Sequence, residues 1–347
     1  MLNLKKIRVL IVDDSELIRQ VLTEIISSTD DIEVVATAED PIDAREKIKQ
    51  YNPDVLTLDV EMPKMDGITF LRNLMRLRPM PVVMISTLTH NGAPATLDAL
   101  EIGAVDYIGK PQGGSWGDLQ GYAETIQEKV RNAAKANMAA HDKVVSKPIL
   151  KVEKPEGYKS TKVICVGSST GGTEAMREIL QSMPINCPPI LMAQHIPVAF
   201  SASLAERLDR VCDITVREAK SGMPLEKGNA YIAPGDLHLT VLKKDGRYLT
   251  ALFDGENVSG HKPSVDVLFK SVAEKVGRNA VAVMLTGMGS DGAAGMKEIF
   301  DIGGATIVQD EATSVVWGMP GAAVNLGGVQ QIKPIKKIVP AVLKACQ

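Results

Sequence analysis

Cysteines at ligand spacing are missing from this sequence. Cys165, Cys187, Cys212 and Cys346 stand far apart, with no CxxC and no Cys/His cluster, which argues against both a structural zinc site and a disulfide framework. An excess of one charge sign is missing too: the net charge is -3, too small to draw nucleic acid or an anionic membrane surface to the chain. No long apolar run opens the sequence. Met-Leu-Asn-Leu-Lys-Lys leads directly into Ile7–Val12, far too short for a signal peptide or a membrane span, so a reducing cytoplasm without membrane insertion is expected. Histidine is scarce, with only five in the chain, which narrows any search for a general base. What is present is an ordinary soluble balance, 45% hydrophobic and 23% charged over 347 residues, long enough for two hydrophobic cores.

From Ile7 to Lys110, short β-branched runs alternate with amphipathic stretches. Residues 7–12, 34–38, 55–58, 82–85 and 106–108 are the expected strands, and the alternation predicts a parallel sheet with crossover helices. The first helix has Leu17, Ile18, Val21, Leu22, Ile25 and Ile26 at helical spacing behind Ser15 as N-cap. A polar, helix-like stretch at 118–136 then gives way to Lys, Glu and Pro without apolar periodicity, which reads as a linker. Strand signals resume at 163–166, 190–193, 214–216, 280–285 and 305–308. Asp245-Gly246 between two alternating runs predicts an antiparallel hairpin extending this second sheet. The fold class is therefore α/β, with two doubly wound parallel-sheet domains, the first flavodoxin-like and the second Rossmann-like with a hairpin. Residues 1–125 are expected to form the first domain, 126–160 a linker and 161–347 the second domain.

Asp13 and Asp14 end the first strand and Asp59 ends the third, at the sheet edge where doubly wound folds bind ligands. Three clustered carboxylates repel one another unless a hard cation such as Mg²⁺ joins them. Ser86 and Lys110 end the fourth and fifth strands, placed to hold phosphoryl oxygens. A single aspartate at a strand end ordinarily caps a helix, but five matching residues at four strand ends point to one site. This set, with Met62-Pro63, Asp66-Gly67 and Lys110-Pro111, resembles response-regulator receiver domains. The resemblance implies that Asp59 is the phosphoacceptor, that Asp13, Asp14 and Asp59 hold Mg²⁺, and that Ser86, Lys110 and Tyr107 form the switch; Tyr107 is otherwise a core aromatic.

In the second half, Val163–Gly171 runs from a buried strand into a helix through a turn of small residues. Gly167-x-Ser169-x-Gly171 has the spacing of a nucleophile elbow, and the helix beyond can stabilise an oxyanion. The same turn would also suit a phosphate cradle, although Ser169 replaces the second glycine of GxGxxG and no Walker lysine follows. A serine nucleophile needs a base. His90 falls in the first domain and His141 in the linker, which leaves His195, His238 and His261. His195 ends the strand expected beside that of Ser169 and has the most direct route to it. Asp291, in the glycine-rich loop after strand 280–285, is the candidate to orient the imidazole, and it could equally cap the next helix.

Ser169-Thr170-Gly171-Gly172, Gln194-His195-Ile196-Pro197 and Thr286-Gly287-Met288-Gly289-Ser290-Asp291-Gly292 together resemble the chemotaxis protein-glutamate methylesterase family. So do His261-Lys262-Pro263-Ser264-Val265-Asp266 and Met319-Pro320-Gly321-Ala322-Ala323. With the receiver in front, the likeness covers nearly the whole chain. It implies a serine hydrolase with Ser169 as nucleophile, His195 as base and Asp291 as its partner, and with Thr170 and Met288 at the oxyanion or substrate. It further implies demethylation of glutamate methyl esters, and deamidation of certain glutamines, on the cytoplasmic domains of chemoreceptors. A chemotaxis histidine kinase would be the phosphodonor, the unphosphorylated receiver would obstruct the active site, and the ester chemistry would need no cofactor. Two other classes fit parts of the sequence: a nucleotide-sensing module built on the Gly171-Gly172 turn, and a DNA-binding regulator, for which no recognition helix is apparent.

Overall fold

The computed structural model describes residues 5–63, 65–87, 92–110, 119–140 and 161–347. His90, Pro111 and His141 lie outside them, as do the linker residues 141–160. The chain divides into two compact units, Met1–Met138 and Ala139–Gln347.

In the first unit, β1 (Ile7–Val12), β2 (Ile32–Ala38), β3 (Val55–Asp59), β4 (Val82–Thr87) and β5 (Asp106–Lys110) form one sheet in the order β2-β1-β3-β4-β5. All of its pairings are parallel. This is the doubly wound, flavodoxin-like order, whose reversal beside β1 opens a crevice at the strands' carboxyl ends. Helix Glu16–Ser27 buries Ile18, Leu22, Ile25 and Ile26 behind the Ser15 cap. Leu17, expected on that face, is instead exposed, because a stripe of four residues already fills the contact with the sheet.

The helix Leu119–Ala134 runs straight through the boundary expected at 125/126. Ile126, Val130 and Ala133 are buried, at spacings of four and three that make one helical face. Gln127 Nε2 donates to Ile25 O at 2.8 Å, and Lys129 meets Asp106 at 2.6 Å. This segment therefore belongs to the first unit rather than to a linker.

The second unit is built on a seven-stranded sheet comprising β6 (Val163–Ser168), β7 (Ile190–Gln194), β8 (Thr215–Glu218), β9 (Asn229–Ile232), β12 (Ala280–Met284), β13 (Ala305–Gln309) and β14 (Gln331–Lys333). The order is β14-β13-β12-β6-β7-β9-β8, again with parallel pairings throughout. β6, β7 and β12 are buried along their whole lengths, as expected of a parallel sheet covered on both faces. Strands β10 (His238–Lys244) and β11 (Arg247–Phe253) form the expected hairpin. Its two-residue loop has Asp245 at φ 50° and Gly246 at φ 75°, as a type I′ turn requires. The hairpin makes a sheet of its own rather than extending the parallel one. The bridge between Pro224 and Leu249 ties it to the segment before β9.

Candidate active site

β6 and β12 are adjacent in the sheet, and β7 lies on the other side of β6, so their three carboxyl ends form one rim. The turn after β6 places Ser169 there, the end of β7 places His195, and the loop after β12 places Asp291. The reversal to the helix Gly172–Ser182 runs through Gly171 at φ 74°, a conformation that disfavours any residue with a Cβ. A side chain at Gly287 would lie 2.9 Å from Ser169 Cβ and 3.0 Å from Ser169 N, and nearer still to Met319 Sδ. The loop after β12 can therefore lie directly against the serine only because residue 287 is glycine. Ser169 N donates to Thr286 O at 3.1 Å, completing that contact.

The three expected residues converge. Ser169 Oγ is 3.1 Å from His195 Nδ1, and His195 Nε2 is 2.8 Å from Asp291 Oδ2. An ionised Asp291 only accepts, so Nε2 carries the imidazole proton and the bare Nδ1 accepts the Ser169 hydroxyl. The ring is thus poised as a base toward Ser169 through Nδ1. Asp291 is itself held at the start of the helix Val265–Val276. Its Oδ1 accepts from Ser264 Oγ at 2.7 Å and from Asp266 N at 3.1 Å, and its Oδ2 accepts from Val265 N at 2.7 Å. Burial pushes the Asp291 carboxyl upward, but the hydrogen bond from His195 and the electrostatic attraction of that ring, with the Ser264 hydroxyl and the Val265 amide, outweigh it and hold the pKa below the usual 3.8. The carboxylate stays charged, with four donors aimed at it.

Ser168, the neighbouring hydroxyl, is fully buried and donates to Gln194 Oε1 at 2.6 Å. Ser169 is only half-buried, so the hydroxyl that substrate can reach is the one facing His195. His238 has no part in the rim. Its Nδ1 accepts from Ser264 N at 3.1 Å while Nε2 faces Glu256 O at 2.9 Å, a neutral ring held in one tautomer inside the core. His261 stacks on His195, with ring centroids 3.7 Å apart and planes 16° from parallel. Met288 is half-exposed in the loop beside the serine, and its amide donates to no protein group among the described residues. Thr170 is buried, and its carbonyl accepts from Thr286 Oγ1 at 3.0 Å. The sequence offers His261 only as an alternative base and Ser264 and Gln194 only as members of longer motifs, with no role for either. Ser264 lies 27 residues from Asp291 in the chain, and no local pattern links them.

In the first unit, carboxylate oxygens of Asp13, Asp14 and Asp59 all lie within 4.8 Å of one another. Lys110 Nζ is 2.8 Å from Asp59 Oδ2 and 3.3 Å from Asp13 Oδ2. Asp13 Oδ2 is buried and makes no hydrogen bond, so it has a lone pair to offer a cation. Burial pushes Asp59 up to about 6, with the Asp13 charge adding to the rise and the Lys110 hydrogen bond opposing it. For Lys110, burial lowers the pKa but the two carboxylates outweigh it and the net shift is upward. Asp59, Ser86 and Lys110 line one cleft, with Asp14 and Asp66. Gly67 lies against the backbone carbonyl of Asp59, where any Cβ would clash, which accounts for the glycine after Asp66. Ser86 Oγ accepts from Thr96 Oγ1 at 2.9 Å. Tyr107 is buried, with Lys129 Nζ 5.0 Å from its ring centroid.

Comparison with known proteins follows this division. Residues 164–342 match the family model described as CheB methylesterase, and residues 9–115 match the response regulator receiver domain. A relative from Salmonella typhimurium is named protein-glutamate methylesterase/protein-glutamine glutaminase. It is 52% identical over 335 residues, 96% of this chain and 95% of its own length. A relative of the same name from Enterobacter cloacae is 53% identical over 97% of this chain and 95% of its own. Among solved structures, the CheB methylesterase catalytic domain of Thermotoga maritima is 37% identical. That match has a TM-score of 0.52 and covers 53% of this chain and 97% of that one.

Proposed function

This chain belongs to the CheB methylesterase family, and we infer that Ser169, His195 and Asp291 carry out its hydrolysis of glutamate methyl esters and its deamidation of glutamines. The observation that carries this reading is the unbroken relay from Ser169 Oγ through both nitrogens of His195 to Asp291. In the reaction, His195 Nδ1 takes the hydroxyl proton as Ser169 Oγ attacks the γ-carbonyl carbon. The amides of Thr170 and Met288 are assigned to the resulting oxyanion. His195 returns the proton to the departing methoxide, methanol leaves, and an acyl-enzyme remains. Water then loses a proton to the same nitrogen while attacking the acyl carbon, and Ser169 departs with the proton restored, freeing glutamate. A glutamine side chain follows the same course with ammonia as the leaving group.

The receiver is the control element. Asp59 is the proposed phosphoacceptor, with Ser86 and Lys110 holding the new oxygens and Tyr107 responding in the core. Asp13, Asp14 and Asp59 would hold Mg²⁺, a reading supported by their oxygen-only ligand set and by the buried Asp13 Oδ2, whose one partner is the Lys110 ammonium. When bound there, the ion would supply positive charge to offset that of a phosphoryl group. Phosphorylation then raises esterase output. We assign the phosphodonor to a chemotaxis histidine kinase, the substrate to the cytoplasmic domains of chemoreceptors, and the site of action to the cytoplasm. Among the described residues no helix is long and apolar enough to cross a membrane. The domain boundary is assigned after Met138, where the first compact unit ends.

The test is methanol release from methylated receptor membranes, with and without a small phosphodonor. Wild type should release methanol faster with the donor, Asp59→Asn should lose that increase, and Ser169→Ala should release none while remaining folded. Release by Ser169→Ala at the wild-type rate would remove the nucleophile assignment.

A further inference from the structure

The side chain of Gln194 is nearly inaccessible, and all of its polar atoms are used at the rim of the sheet. Its Oε1 accepts from Ser168 Oγ at 2.6 Å, and its Nε2 donates to Ser169 O at 2.9 Å and to His195 O at 3.2 Å. The two carbonyls it holds belong to the nucleophile and the base. No backbone bond joins those residues to each other directly; the nearest one is His195 N to Ser168 O at 3.3 Å. Ser168 and Gln194 are register partners in the β6–β7 ladder, so the amide continues the ladder one residue beyond the point where the two strands part. Gly172 makes room for it, since a side chain there would strike Gln194 Oε1 and would come within 2.8 Å of Ser168 Oγ.

We infer that Gln194 is a positioning residue that clamps the backbones of Ser169 and His195 together and so sets the gap between hydroxyl and imidazole. A primary amide suits the task. It offers two donors to two carbonyls and one acceptor to a hydroxyl, a pattern that neither a carboxylate nor an apolar side chain of equal length reproduces. The ladder ends at this point and the strands carry different loops, so without the clamp the distance from Oγ to Nδ1 would rest on the longer His195 N–Ser168 O bond, the Ser169 N–Thr286 O bond and the hold of Asp291 on the far side of the ring. Reactions between groups held at near-attack distance are steeply sensitive to such displacement. The inference rests on Ser169 being the nucleophile, which is checked separately by labelling wild type and finding Ser169→Ala unlabelled.

The experiment uses the full chain and a serine-directed fluorophosphonate, recording both the rate of labelling and the fraction labelled at completion. Gln194→Met keeps the length of the side chain and removes both donors. The expected result is complete labelling at a rate lower by on the order of 10- to 100-fold, with kcat reduced by a similar factor and KM little changed. Ser168→Ala, which removes only the hydroxyl that fixes Oε1, should give a smaller loss of the same kind, and it decides the matter if Gln194→Met does not fold. Wild-type labelling rates in the folded variants would overturn the inference. So would a reduced labelled fraction whose remaining sites react at the wild-type rate, since that is the signature of a merely structural role.

Discussion

Ser264 Oγ donates to Asp291 Oδ1 at 2.7 Å, leaving Oδ2 to receive His195. One hydroxyl thus sets the rotation of the carboxylate that meets the His195 ring. The same oxygen accepts from Val267 N at 3.3 Å as the N-cap of the helix Val265–Val276. Ser264→Ala is expected to lose about 1 kcal/mol of stability from the cap and to lower kcat with little change in KM, because the carboxylate keeps its two amide donors but loses a fixed rotation. Thermal melts and steady-state methanol release measure the two effects.

Replacing the carboxylate itself should do more. Asp291→Asn presents either an amide nitrogen or a weaker acceptor to His195 Nε2, which favours the wrong tautomer. A fall in kcat of roughly 10³- to 10⁴-fold is expected by analogy with other serine triads. The stability effect has a defined pH window. The folded pKa of Asp291 is depressed below 3.8, so its contribution is fully present above that value and is lost as pH falls through the folded pKa. The melting difference between wild type and Asp291→Asn should therefore be largest near neutrality and shrink below pH 3.8; a constant difference across that range would contradict the charge assignment.

Gly287 offers a purely steric test. An added methyl would meet Ser169 Cβ at 2.9 Å and Met319 Sδ more closely. Gly287→Ala should shift the nucleophile, with a destabilisation of about 1–3 kcal/mol and a loss in kcat approaching 10²-fold for a displacement near 1 Å. Calorimetry and esterase assays on one preparation test both.

Mg²⁺ should stabilise the receiver by mass action, by about 2.7 kcal/mol at a concentration one hundred times its dissociation constant. Asp13→Asn removes a buried carboxylate charge whose Oδ2 meets only the Lys110 ammonium, at 3.3 Å, and should abolish that gain. The readout is the receiver's melting midpoint in the full chain with added Mg²⁺ or with a chelator. An equal Mg²⁺ gain in wild type and Asp13→Asn would contradict the ligand set.

How much the sequence disclosed depended on the range of the signal. Apolar strands such as β6 and β12 are legible because both faces are buried and every residue is hydrophobic or small. β9 has four residues and β14 only three, too few to show a period. Among the described side chains of the helix Leu119–Ala134, the buried apolar ones are Ile126, Val130 and Ala133, a short pattern that a polar background hides. The convergence of Ser169, His195 and Asp291 was legible because each is a reactive group at, or in the loop after, a strand's carboxyl end. Ser264 and Gln194 act through contacts that exist only once β6, β7 and the helix Val265–Val276 are packed together.

The most direct measurement is peptide mapping of the adduct formed with a serine-directed phosphonate, on wild type and on His195→Ala. Wild type should carry an adduct on Ser169 alone, and the variant none. An adduct on Ser168, or undiminished labelling of Ser169 without the His195 imidazole, would contradict these assignments.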